Sequence, residues 1–154
     1  MTQQYRVVRA GAILFLIAII TACGSLPGQT PTGTPRPFAR FRGEEVVISL
    51  SEAGLALENV RSDTAVGRGA PATFNTRLIF EIPRIAPGGG QVLTFRTLED
   101  LQTWQDYVIG LRGNPETRRT VVYVYVNQNA MLQMNADLTN QEAQAYRDAF
   151  LALE

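Results

Sequence analysis

The chain has 154 residues and a formal net charge of +0, and its 14 basic side chains are all arginine, since it contains neither lysine nor histidine. With a single cysteine, that inventory leaves no imidazole base, no Schiff-base lysine and no Cys/His zinc site. Near-neutrality also gives no electrostatic footprint for nucleic acid.

Arg6 and Arg9 precede an apolar run, Gly11–Ile20, that ends in Thr21-Ala22-Cys23. A positive segment, a short apolar segment and small residues before a cleavage point are the three parts of an export signal. The run is roughly ten residues, against about 20 for a helix crossing the hydrocarbon core, so no permanent span is expected here. Ile20-Thr21-Ala22-Cys23 resembles the bacterial lipobox, with Ile in place of Leu at the first position and Thr at the second. The resemblance covers residues 1–23 alone. It implies a signal peptide over residues 1–22, cleavage between Ala22 and Cys23, and acylation of Cys23. The domain would then be anchored to the cell membrane or outer membrane, facing the extracytoplasmic side. Two or three acyl chains, at about 0.8 kcal/mol per buried CH₂, make such an anchor effectively permanent. Lipidation would also consume the only thiol, leaving none for a disulfide or a nucleophile.

After Cys23, residues 24–37 alternate Pro27, Pro31, Pro35 and Pro37 with Thr, Gly and Ser, and offer nothing to bury. This composition reads as an extended tether, able at about 3.1 Å per residue to lift a domain on the order of 40 Å. Its end merges into the chain's one basic and aromatic cluster, Arg36, Phe38, Arg40, Phe41 and Arg42. These residues are candidates for contact with an anionic membrane surface, at about 1 kcal/mol for each Arg. The competing expectation is that the Phe rings pack on the edge of the domain.

Residues 38–154 read as a single α+β domain. Glu45–Ser51 alternates through Val46, Ile48 and Leu50, and Glu52-Ala53-Gly54 would turn it into a second strand, Leu55–Val60. Arg61–Ala72 is a long loop; Phe74–Ile82 and Val92–Arg96 are strands joined across Pro83–Gln91. Thr97, with Asp100 three residues on, starts a helix whose apolar stripe is Leu98, Leu101, Trp104, Val108 and Leu111. Thr120–Val126 is the strongest strand pattern, and Asn127-Gln128-Asn129 turns it into Met131–Ala136. Thr139 and Glu142 form a capping box for a final helix, Asn140–Leu153. The two helices align at an offset of Thr97 on Thr139, each behind a hairpin, which suggests two ββα units preceded by another hairpin. A mainly antiparallel sheet would then carry two amphipathic helices on one face and leave the other open.

No chemical motif survives inspection. Pro87-Gly88-Gly89-Gly90 lacks the Lys-Ser/Thr of a phosphate loop and reads as a flexible hairpin tip. Ser49 and Ser51 have no histidine partner. Glu44-Glu45 and Glu99-Asp100 are adjacent in sequence and do not converge on one atom. Asp63, Asp106, Asp137 and Asp148 read as loop, cap or solvent-face residues. No catalytic residue, metal site or cofactor is expected.

Tyr123 and Tyr125 alternate with Val122, Val124 and Val126, so the valines should face the helices and the tyrosines the open side. Tyr123 and Tyr125, with Arg77 or Arg119 as neighbours, are therefore the candidate partner-binding residues. The functional expectation is a non-enzymatic, lipid-anchored domain that binds or scaffolds an envelope protein, with a small-ligand carrier as the alternative.

Overall fold

Residues 45–51, expected as a strand, lie instead within an α-helix. The computed structural model describes residues 37–118 and 123–154; residues 1–36, where a leader, Ala22, Cys23 and most of a tether are expected, and residues 119–122 lie outside the described residues. In helix α1 (Gly43–Glu52), Val46, Val47 and Leu50 are buried while Ile48 is 56% exposed. A strand would have placed Val46, Ile48 and Leu50 together, whereas spacings of one and four residues fall on one helical face. The Glu45 carboxylate accepts the Arg42 N–H at 3.1 Å and, with Glu44, puts acid in the first turn. The decisive signal is at the other end. Gly54 adopts φ +80°, its N–H donates to Ser51 O at 2.9 Å, and Leu55 N–H donates to Leu50 O at 3.2 Å. That is a Schellman helix stop, so Ala53-Gly54 ends a helix instead of turning a hairpin.

The sheet contains β1 (Glu58–Ser62), β2 (Thr76–Glu81), β3 (Gly89–Thr94), β4 (Tyr123–Asn127) and β5 (Ala130–Met134), ordered β1-β2-β3-β5-β4 with every neighbour antiparallel. The α+β class with an antiparallel sheet is thus as the sequence predicts. β1 is an exposed edge strand with a register shift between Glu58 and Arg61, where Asn59 has φ 51°. Such a bulge blunts the edge against further pairing.

Helices α2 (Leu98–Gly113) and α3 (Asn140–Leu151) begin at the expected residues. Thr97 Oγ1 accepts the Asp100 N–H at 3.1 Å. Thr139 Oγ1 accepts the Glu142 N–H at 3.2 Å while Glu142 accepts the Thr139 N–H at 2.8 Å, a complete capping box.

Their placement overturns the one-face arrangement. On the first sheet face, Leu78, Phe80, Val92, Leu132 and Met134 pack with Val46, Val47 and Leu50 of α1 and with Ala143, Tyr146 and Phe150 of α3. On the second, Leu93, Phe95 and Met131 pack with Leu101, Trp104 and Val108 of α2. Strand neighbours point to opposite faces, so Val92 against Leu93, and Met131 against Leu132, separate the two layers. The helix entries also differ. β3 reaches α2 through Phe95–Thr97, while β5 reaches α3 through the longer segment Asn135–Thr139. The hairpin–helix order repeats, but the units are not copies in space, and a helix with a strand stands where a third hairpin was expected. The offset of Thr97 on Thr139 reflects what any capped amphipathic helix requires.

Gly89 and Gly90, expected in a flexible tip, lie in β3. A Cβ on Gly89 would sit 1.9 Å from Phe80 O, and one on Gly90 would sit 2.6 Å from Phe80 Cζ. Close packing therefore selects these glycines.

Thr97→Ala and Thr139→Ala should each lower the unfolding free energy by about 1 kcal/mol in denaturant titrations. Gly89→Ala should cost at least as much as overpacking usually does, about 1–3 kcal/mol, because its obstacle is backbone.

Candidate functional site

The predicted docking tyrosines are under α3. Tyr123 and Tyr125 pair across the ladder with Met134 and Leu132, and both pack half-buried on the first core. The Tyr123 hydroxyl donates to Leu138 O at 3.0 Å. Desolvation raises the Tyr125 pKa, with the Arg147 guanidinium acting in the opposite direction. Val124 and Val126 face α2 instead. The alternation was read correctly, but helices cover both faces, so the open tyrosine surface does not exist. Arg77 lies on the second face with Leu93, its ladder partner, away from these tyrosines; Arg119 and Val122 are outside the described residues.

The basic and aromatic cluster divides in a similar way. Phe38 packs on the second core and Phe41 on the first. The Arg40 guanidinium sits 5.3 Å from the Phe41 ring centre, and Arg42, with its side chain 84% exposed, lies 4.0 Å from Glu45. Arg42 alone of the described members is well exposed; Arg36, like the lipidation candidate Cys23 and the cleavage residue Ala22, is not among them.

What the fold does assemble is a polar ladder on the second sheet face, beside α2. Arg77 lies 3.6 Å from Asp63 and donates from Nε to Gln91 Oε1 at 2.6 Å. Gln91 Nε2 donates to Gln133 Oε1, and Gln133 Nε2 donates to Met131 Sδ at 3.1 Å. Arg77 also donates to Ala65 O, which ties the loop after β1 to the sheet. Gln91 and Gln133 are direct partners in the β3–β5 ladder, so the strand register itself places their amides together. Gln133 is 5% exposed.

Two hollows meet at these amides. A shallow trough of about 280 Å³ runs along Arg61, Ile79, Gly89, Gly90, Gln91 and Gln133. A smaller cavity of about 120 Å³ lies between the loop after β1 and α2, lined by Val66, Arg77, Gln91, Trp104, Tyr107 and Gln133 among others. Trp104 is held edge-to-face by Phe74, with ring centres 5.7 Å apart, and its indole Nε1–H is buried without a partner among the described residues. A buried orphan donor of this kind costs about 1–3 kcal/mol. The motif scan missed this site. Its only sequence signal is a Gln at Gln91 and at Gln133 in otherwise apolar strands.

No protein-family model matches this chain, and no curated protein or solved structure is significantly similar to it. The site is therefore read from its own chemistry. Among the described residues no cluster of His, Cys, Asp and Glu is arranged to hold a metal ion, and no helix is long and apolar enough to cross a membrane.

A third hollow, of about 300 Å³, lies beside α3 and is lined by Leu55, Ile82, Pro83, Leu138, Ala145 and Tyr146. Arg84 and Glu142 give it its polar side, with Arg84 NH2 donating to Glu142 Oε2 at 2.6 Å. The Tyr146 hydroxyl donates to Ala56 O at 2.7 Å, and desolvation raises its pKa.

The Glu142 carboxyl sits below the ordinary glutamate range, first through the Thr139 backbone N–H, then through the Thr139 hydroxyl, with Arg84 adding to both. A depressed folded value stabilises the fold above the unfolded pKa, and that contribution fades as pH falls through the folded one. Glu142→Gln should therefore melt below the wild type at pH 7, and the gap in melting temperature should close in strong acid.

Proposed function

We propose that this protein is a lipid-anchored, extracytoplasmic binding domain that engages an envelope component through the amide-lined trough on its second sheet face. The observation that carries the binding surface is the Arg77–Gln91–Gln133 ladder. It is a preorganised row of hydrogen-bonding groups opening onto a hollow, the arrangement by which binding sites fix a ligand's orientation. The anchor rests on Ile20-Thr21-Ala22-Cys23 and the apolar run before it. Without lysine or histidine, and with the lone cysteine assigned to lipid, the residue inventory favours recognition over turnover.

A second reading, a carrier for a small apolar ligand, is supported by the hollow beside α3. Its 300 Å³ lies at the small end of ligand pockets.

Cys23→Ser should yield an uncleaved precursor, while the wild type should carry the mass of attached acyl chains; a wild-type chain without that mass would refute the anchor. After mild detergent extraction, Gln91→Ala should lose the envelope component that co-purifies with the wild type while still unfolding in one cooperative thermal transition, at a lowered midpoint because Arg77 and Gln133 lose a partner. Retention of that component by the variant would move the working surface elsewhere.

A further inference from the structure

The sheet has two edges, and only one of them is guarded. β1 carries the bulge beside Asn59 and the charged residues Glu58 and Arg61, the devices that keep an edge strand from pairing further. β4, at the opposite end of the sheet, has neither. Its sequence, Tyr-Val-Tyr-Val-Asn, holds no charge, no proline and no register shift, and among the described residues only β5 pairs with its main chain. A strand of this kind is a template for another strand. β5, one position inward, is buried at all five residues, whereas β4 is half-buried at all five although side chains from both helical layers pack on its two faces. What solvent reaches is the edge.

Both helix layers extend this edge with apolar side chains. On α3 the Tyr123 hydroxyl lies 2.9 Å from Asn140 Oδ1 and the Arg147 guanidinium acts on Tyr125, so the flank through Asn140, Arg147 and Leu151 overlooks β4. The opposite flank, at Glu142 and Ala145, faces Leu55 and Ile82. Leu151 is therefore exposed beside the edge. On α2, Asp100 O accepts from the Thr73 hydroxyl and Tyr107 lines the same cavity as Val66, which fixes the flank turned to the loop after β1. At about 100° per residue, Leu98 and Ile109 fall on the other flank, and both are exposed. Three of the five large apolar side chains exposed among the described residues thus border one rim.

A partner that covers this rim must present a strand edge at mid-height and an apolar helix flank on either side of it, which is the layering of this domain itself. We propose that β4 is the seam of a homodimer, in which the β4 strands of two copies pair antiparallel about a two-fold axis normal to the sheet. Such a contact is self-complementary and closes on itself. The first face of one copy continues the first face of the other, so α3 meets its mate through Leu151 and α2 meets its mate through Leu98 and Ile109. With strands about 4.8 Å apart, two helices each seated over β4 and β5 come to about 10 Å from one another, an ordinary helix-packing distance. α3 is seated in that way. Charge does not oppose the approach, because Arg147 is paired within its own copy to Asp148 at 2.8 Å and the formal net charge is +0. The guarded β1 cannot receive the β4 of a further copy, so assembly stops at two. The seam depends neither on the lipid anchor nor on the amide-lined trough.

Sedimentation equilibrium of the full chain, in density-matched detergent with micelles in excess over protein, should give the mass of two chains at high concentration and of one on dilution. Leu151→Arg and Ile109→Arg change exposed positions and should leave the melting temperature nearly unaltered. Each should raise the dimer dissociation constant about tenfold or more, because the two-fold axis places the substitution in the seam twice. Ile48→Arg, the same change on the outer side of α1, should leave that constant unchanged. Amide hydrogen exchange separates strand pairing from helix contact alone: amides of β4 should gain protection as concentration rises, and those of β1 should not. A chain that stays monomeric at about 1 mM would overturn the proposal. So would a dimer weakened as much by Ile48→Arg as by Leu151→Arg, β4 amides indifferent to concentration, or growth beyond two copies.

Discussion

One buried amide holds the layers of this fold in register. Asn129, 3% exposed, closes the β4–β5 turn, and its Oδ1 accepts the N–H groups of Arg40 at 3.1 Å and Phe41 at 2.8 Å. Its Nδ2 donates to Phe41 O at 3.0 Å and Phe95 O at 3.4 Å, while its main-chain oxygen accepts Phe95 N–H at 2.9 Å. Three stretches of chain far apart in sequence therefore meet on one side chain. The meeting decides the layering, because Phe38 and Phe95 belong to the second core and Phe41 to the first. The segment that enters the domain crosses between the two layers at the point where Asn129 grips it. Each of these backbone groups would otherwise be a partly buried orphan, at about 1–3 kcal/mol apiece.

Read in these terms, the limits of the sequence are local. Thr97 and Thr139 disclosed their helices because a cap is settled within four residues, and the hairpin around Gln128 was legible because a turn is as short. The first helix was not. Val46, Ile48 and Leu50 satisfy both periods over so short a stretch, and Ala53-Gly54 reads equally as a turn or a helix stop until the bond from Leu55 to Leu50 is seen. The face taken by α2 was also beyond reach. It depends on Phe95 and Asn129 meeting across the sheet, a contact no local pattern encodes.

The candidate site was illegible for a related reason. Glutamines carry no motif, and only the β3–β5 register turns Gln91 and Gln133 into one feature. Conversely, the tyrosines of β4 announced themselves and then served the first core, with half-buried rings and one hydroxyl spent on Leu138. Aromatic alternation identifies a strand face reliably; it says nothing about how many layers the strand lies between. Here both faces are covered, so the informative residues are the polar ones that interrupt an apolar face, since each must be compensated.

The compensation in the ladder has a direction. Every bond runs the same way: guanidinium to the Gln91 carbonyl, Gln91 amide to the Gln133 carbonyl, Gln133 amide to the Met131 sulfur. In a chain of donors that starts at a cation, each N–H is polarised by the link before it. The last N–H is therefore a stronger donor than an isolated amide, yet it ends on the weakest acceptor in the row. Asp63 balances the charge of Arg77 without interrupting the chain, so the site gains donor strength without presenting a net charge to solvent. Under the proposed reading of the trough, selection rests on hydrogen-bond geometry and exclusion of water, with little long-range attraction. It suits a domain whose formal net charge is +0, for which electrostatic steering has little to offer.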